Sequence, residues 1–234
     1  MRIYIMRHAE SYGNIQGKII STTDLPLTER GVRQAERAKE FLKEAIDDIQ
    51  YAFSSPLLRA KQTAEIVIGG RLNITESADL LEMNLGEMEG CTWAEVREKF
   101  SYINIDGKLS EAVLPAGETF ADVETRCQKF ITEHLANLSK DVNNSLIVTH
   151  GITKRVLINC LLGKKKEYVN YLNWADNTSF SIVDLDPKNV GSLIHLNERR
   201  HLFEGSDEKA EGGLGAVDFH KWGSFAEKDY ITLE

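Results

Sequence analysis

Cysteine is scarce in this chain: Cys91, Cys127 and Cys160 stand alone among 234 residues, and no two form a CxxC pair. An odd count without paired spacing supplies no disulfide framework. Cys127 and Cys160 fall on apolar helical faces, which predicts buried, reduced thiols and a reducing compartment. Long apolar runs are also missing, since none reaches the ~18 residues that span a bilayer. The N-terminus carries neither a charged leader nor a small-residue cleavage site. The expectation is a cytoplasmic protein with no membrane partner. Nor is there a long basic run: net charge is −8, from 28 Lys and Arg against 36 Asp and Glu. Lys164-Lys165-Lys166, the one basic cluster, follows a predicted helix end and reads as a solvated cap. Phosphate-tracking surfaces are usually basic, so nucleic acid is not an expected partner. No internal repeat is visible.

What is present is a composition of 42% hydrophobic and 27% charged residues, enough for a globular core that can hold a rigid site. Residues 2–7 read as a short buried strand. Thr28 opens a helix with Val32, Ala35, Ala38, Leu42 and Ala45 at helical spacing. "YAFSSP" is a second strand, followed by a helix carrying Ala60, Ala64 and Val67 that Gly69-Gly70 ends. Thr92 and Glu95 have capping-box spacing. An apolar stripe of Phe120, Val123, Cys127, Phe130, Leu135 and Leu138 predicts a helix over 118–138. "SLIVTH" is a strand, "GITKRVLINCLLG" a helix, and "SFSIVDLD" and "SLIHLN" two late strands. Alternating strands and helices predict an α/β fold with a mostly parallel central sheet.

In such sheets, ligands bind outside the carboxyl ends of the strands. Arg7-His8, Ser54-Ser55 and Thr149-His150 each follow a buried strand, and Arg59 lies near the start of the next helix. Arginine is a fixed planar fork that matches phosphate oxygens. An imidazole held at one nitrogen can attack phosphorus from the other. A second, protonated imidazole can stabilise charge on the transferring group. A carboxyl is then needed for the leaving group and for water. "LLEMNLGEMEG" offers Glu82, Glu87 and Glu89, and the residues alone do not choose among them.

The pattern resembles the histidine phosphatase superfamily, the phosphoglycerate mutase-like fold. Arg7-His8-Ala9-Glu10-Ser11 with Asn14 is similar to its R-H-G-[EQ]-[ST] motif. "DLPLTERGVRQA", "SSPLLRAKQTAE", "LLEMNLGEMEG" and "VTHGIT" resemble its later motifs, in the family's order, and the match runs from residue 2 to about 185. The resemblance implies a three-layer fold with helices on both faces of the sheet. It implies His8 as a nucleophile that becomes phosphohistidine. Arg7, Arg59 and His150 would hold the phosphate, with Asn14 as a further contact and Glu82 as the general acid and then base. It implies no cofactor and no metal, because cationic side chains carry the charge. Ala9 stands where the family usually has Gly, which restricts the backbone there.

His150 lies 68 residues after Glu82. Glycolytic mutases carry an added basic segment in this interval; here "LPAGETFADVETR" resembles the phosphatase branches. The expected function is a phosphomonoester phosphatase acting on a small phosphorylated metabolite. A cofactor-dependent phosphoglycerate mutase and a non-catalytic phosphate-binding regulator are the alternatives. Few cationic residues besides Arg7 and Arg59 lie near the motifs, which argues against a bisphosphorylated substrate. Residues 1–202 read as a catalytic domain with cap elements at about 92–117. Trp93, Phe100, Tyr102 and Trp222 are candidates to line the site. Residues 203–234, Gly-rich with Phe219, Trp222 and Phe225, read as an extension serving as a lid or an interface segment. A homodimer is left open.

Overall fold

β1 (Arg2–Arg7) opens the chain and sits in the interior, with Ile3, Ile5 and Met6 fully buried. The structure, a computed structural model, describes residues 1–101, 108–136, 138, 142 and 144–203. After β1 come α1 (Tyr12–Ile15), α2 (Glu29–Phe41), α3 (Lys43–Asp47), β2 (Ile49–Ser54), α4 (Leu58–Ile68) and β3 (Ile74–Glu76). They are followed by α5 (Trp93–Lys99), α6 (Phe120–Phe130), β4 (Asn144–Thr149), α7 (Gly151–Leu161), β5 (Phe180–Leu185) and β6 (Gly191–Glu198). One sheet of six strands has the order β3-β2-β4-β1-β5-β6. β1 to β4 run parallel, and β5 and β6 add antiparallel strands on one side. This is the mostly parallel α/β sheet that the alternating pattern predicts.

Alternation along the strands divides the core into two layers. Ile3 and Ile5 of β1 join Phe53 and Ile147 beneath Val123, Cys127 and Phe130 of α6 and Val156 and Leu157 of α7. Tyr4 and Met6 join Ala52, Leu146 and Val148 beneath Ala38 of α2 and Ala60, Ala64 and Val67 of α4. Helices thus cover both faces. Cys127 and Cys160 are buried, and burial pushes both thiols up, which keeps them protonated and unreactive.

Local chemistry sets the element ends. Thr28 caps α2 by accepting from the Gly31 amide at 3.0 Å. Gly31 lets that helix lie on the first motif: a Cβ there would stand 2.0 Å from the Glu10 carbonyl oxygen. α2 ends at Phe41, so Ala45 belongs to α3 and not to one continuous helix. Val32, expected on the apolar face, is exposed. The helix expected over 118–138 is α-helical only to Phe130, and Ile131–Leu135 is a π turn. The five-residue step from Phe130 to Leu135 explains it, because only the wider turn keeps both side chains buried. β3 is absent from the sequence reading: it is three residues at a sheet edge with only Ile74 half-buried.

The expected cap contains α5 and a 3-10 turn at Leu109–Glu111. The Ser110 amide donates to Asn170, whose amide donates back to the Ser110 hydroxyl, tying this turn to Lys166–Tyr171. Phe100, a candidate lining residue, is buried in the core instead, and Trp93 packs against the same core. Tyr102, Trp222 and the extension from residue 204 onward lie outside the described residues. Among the described residues, no helix is long and apolar enough to cross a membrane.

Candidate active site

β2, β4 and β1 are neighbours in the sheet and point the same way, so their C-terminal residues meet at one rim. The ladder runs on past the strands: His8 N–H donates to the Thr149 carbonyl at 2.9 Å, and Ser55 N–H to the Val148 carbonyl at 3.0 Å. Three remote sequence positions become one wall for this reason.

His8 is buried, and its Nδ1 lies 2.7 Å from the Ala9 carbonyl oxygen. A carbonyl only accepts, so Nδ1 carries the proton and Nε2 carries the lone pair. Ala9 itself has no left-handed backbone. Its amide donates to Thr63 Oγ1 at 2.9 Å, and its methyl group packs with Leu27 and Ala35. The departure from glycine is therefore absorbed by packing.

The His150 ring lies 5.1 Å from the His8 ring, centroid to centroid. Arg59 Nε donates to His150 Nδ1 at 3.3 Å, and His150 Nε2 lies 2.8 Å from Ser55 Oγ. Arg59 is buried on the first turn of α4, its other nitrogens donating to the carbonyls of Thr23 at 2.9 Å and Ser21 at 2.6 Å. Arg7 Nη1 donates to the Ala175 carbonyl. Arg7 Nε is buried without an acceptor among the described residues, 3.8 Å from where a Cβ on Gly151 would stand at the start of α7. A buried donor lacking a partner beside a helix N-terminus is what an incoming anion can satisfy.

The three glutamates separate clearly. Glu82 reaches the first turn of α7, accepting from Ile152 N–H at 3.2 Å and from Thr153 N–H at 3.1 Å. Its charge also acts on both Arg7 and Arg59. Glu87 is exposed. Glu89 turns to the loop holding Arg59 and accepts from the amides and hydroxyls of Ser21 and Thr23. Burial works against the Glu89 charge, but those hydrogen bonds outweigh it and hold the carboxyl below its usual range.

Asn14 Oδ1 accepts from the Ser11 amide at 2.9 Å and from Asn177 Nδ2 at 3.3 Å, which leaves its own amide hydrogens as the donors available to a ligand. Other motif residues are latches. Glu10 accepts from Thr28 and Arg30, Gln34 accepts from the Glu10 amide, Gln62 from the Leu27 amide and Asp24 from the Leu58 amide. Thr153 and the carbonyls of Ser21, Thr23 and Ala175 escape a side-chain reading, whereas Ser55 is signalled by its strand-end position.

Burial, reinforced by Arg59 and Arg7, holds the His8 imidazole well below its ordinary value. Burial followed by Arg59 does the same to His150. Burial also lowers both guanidiniums, opposed chiefly by Glu82, and they remain charged. The result is a cationic cluster with two neutral imidazoles and one carboxyl.

Residues 3–198 match the histidine phosphatase superfamily (branch 1), and the chain belongs to that superfamily. It is 32% identical over 167 residues to the probable phosphoglycerate mutase GpmB of Proteus mirabilis, an alignment covering 70% of this chain and 75% of that one. Its fold is similar to the crystal structure of an alpha-ribazole phosphatase from Shigella flexneri, with TM-score 0.72 and 27% identity over 85% of this chain and 97% of that one. Bacillus stearothermophilus YhfR is similar as well, with TM-score 0.76 and 26% identity over 86% and 98% of the two chains. Enzymes named for phosphatase and for mutase activity thus both stand among its relatives.

Proposed function

We propose that this chain is a metal-independent phosphomonoesterase acting through a phosphohistidine at His8 on a small phosphorylated metabolite. The observation that carries this reading is the Nδ1 contact to the Ala9 carbonyl, which leaves the Nε2 lone pair of His8 beside Arg7 and Arg59. The guanidiniums and His150 take the phosphoryl oxygens, and Asn14 adds a donor. His8 Nε2 forms a bond to phosphorus as the ester oxygen leaves, and Glu82 in its acid form gives that oxygen a proton. Water then attacks phosphorus, Glu82 takes a proton from it, and the phosphorus–Nε2 bond breaks. The products are an alcohol and inorganic phosphate.

Hydrolysis is favoured over transfer by the short interval between Glu82 and His150. The loop with the phosphatase-type motif folds against the segment just after Glu82: Glu118 accepts from the Asn84 backbone N–H at 2.8 Å and pairs with Arg126 at 2.9 Å. The catalytic unit in this reading is 1–202, with 203–234 an extension. The buried thiols support a cytoplasmic setting.

The test is hydrolysis of p-nitrophenyl phosphate beside a 3-phosphoglycerate mutase assay, both in excess chelator, with rapid-quench labelling. The expected result is hydrolysis inhibited by vanadate and an acid-labile, base-stable adduct at His8 that His8→Ala abolishes. Near wild-type turnover in that variant, or loss in chelator restored by Mg²⁺, would overturn the reading. Dominant mutase activity would replace hydrolysis with transfer.

A further inference from the structure

The first candidate-site residue, His8, is gripped from behind by a turn that the function above does not explain. Ser179 N–H donates to the Asp176 carbonyl at 3.1 Å and closes a β-turn over Asp176, Asn177, Thr178 and Ser179. Thr178 has φ of 60° at the third position of that turn. Glycine or asparagine is favoured there, and a β-branched residue is disfavoured. Strain of this kind persists only where neighbours enforce it. Here the Thr178 amide donates to the carbonyls of Arg7 at 3.1 Å and His8 at 3.3 Å. Asn177 Nδ2 donates to the same His8 carbonyl at 2.9 Å.

The enforcing neighbour comes from the 3-10 turn Arg200–Leu202, which lies past the family match ending at residue 198. His201 is buried, its ring stacked 6.2 Å from Phe180 and tilted 5.7 Å from Phe41. Its Nε2 lies 2.9 Å from Thr178 Oγ1. Thr178 Oγ1 already donates to the Asn177 carbonyl at 2.7 Å, so His201 Nε2–H is the donor. His201 Nδ1 is then bare, as fits a buried nitrogen without a partner among the described residues. Arg199, two residues earlier, pairs with Asp176 at the start of the same β-turn.

We infer that His201 is a positioning residue: through Thr178 it holds the strained turn that fixes the His8 backbone, and so aims His8 Nε2 at phosphorus. This rests on the phosphohistidine reading for its catalytic consequence, though not for the contact itself. Small misplacements of a reacting atom are expensive in rate, so the effect belongs in phosphoryl transfer and not in anion capture.

His201→Phe keeps the ring between Phe41 and Phe180 and removes only the donor. Three measurements are made on the folded full chain: single-turnover phosphorylation of His8, competition by inorganic phosphate, and hydrogen exchange of the Thr178 amide. The expected result is about 10-fold slower phosphorylation, phosphate competition within about twofold of wild type, and about 10-fold faster exchange at Thr178. In a Thr178→Gly background, where the left-handed turn needs no support and Oγ1 is gone, His201→Phe should add nothing to either rate. Unchanged phosphorylation in folded His201→Phe, or an equal loss in both backgrounds, overturns the inference. If the wild-type chain takes up no phosphoryl group, the phosphatase reading fails, and unchanged exchange at Thr178 would then separately overturn the coupling.

Discussion

Arg59 Nε points at His150 Nδ1 from 3.3 Å, a cation donating to the lone pair of an imidazole. The other ring nitrogen therefore carries the proton and donates to Ser55 Oγ at 2.8 Å. On the proposed reading a phosphate dianion would take the Arg59 donor, and His150 Nδ1 would then face negative charge instead of positive.

The first prediction follows from that exchange. Burial and Arg59 keep His150 neutral in the free site, and a dianion reverses the electrostatic part of that shift. Phosphate or vanadate binding should take up a fraction of a proton near pH 7, so affinity should fall as pH rises. Calorimetry in buffers of different ionisation enthalpy measures the uptake. His150→Asn should remove it; equal uptake in that variant would assign the proton elsewhere.

Glu82 and Glu89 should fail in different ways. Proton transfer is typically worth ~10² to 10⁴-fold, so Glu82→Gln should lower kcat by about that much for an alkyl phosphate and less for a good leaving group. Glu89→Gln loosens the loop whose Ser21 and Thr23 carbonyls hold Arg59. On the order of 10-fold weaker phosphate inhibition is expected, with kcat changed far less. Steady-state kinetics on both variants decides, and a kcat collapse in Glu89→Gln alone would reverse the assignment.

Stability should decline below neutral pH for an identifiable reason. Burial first, then cationic neighbours, holds His8 and His150 well below their ordinary value, and burial brings His201 down to about 4. In the unfolded chain these histidines titrate near 6.5. From there down to the folded values the unfolded state binds more protons, so unfolding is favoured as pH falls. Each histidine contributes up to about 1.4 kcal/mol per pH unit within its window. Urea unfolding at pH 7 and pH 5 should show the loss, and His201→Phe should show a shallower one. A wild-type stability that is flat over this range would contradict the assignment of neutral buried rings.

The strand ends were readable because a buried apolar run that stops at Arg7-His8 or at Thr149-His150 leaves polar groups at a rim. Choosing Glu82 from sequence physics was not possible, since all three glutamates lie near glycines. The distinction lies in which carboxyl reaches the amides of Ile152 and Thr153, a contact made seventy positions away in the chain; only the family resemblance named it. Backbone carbonyls that seat the arginines have no side-chain signature at all. His201 reads as an ordinary isolated histidine until Thr178 is seen in a left-handed turn. The π turn after Phe130 escapes a helical-period reading because its five-residue step departs from that period.

Arg7 and Arg59 are seated on the uncharged carbonyls of Ala175, Ser21 and Thr23. Carboxylate seats would have cancelled much of their charge before any ligand arrived. Neutral seats leave it available, and on the proposed phosphatase reading they would leave it equally available to the inorganic phosphate released by hydrolysis. On that reading a site built this way would hold product phosphate by the same contacts that hold a phosphorylated substrate. Turnover on good leaving groups should then converge on one common maximum rate, set by departure of phosphate and not by the chemistry of the ester.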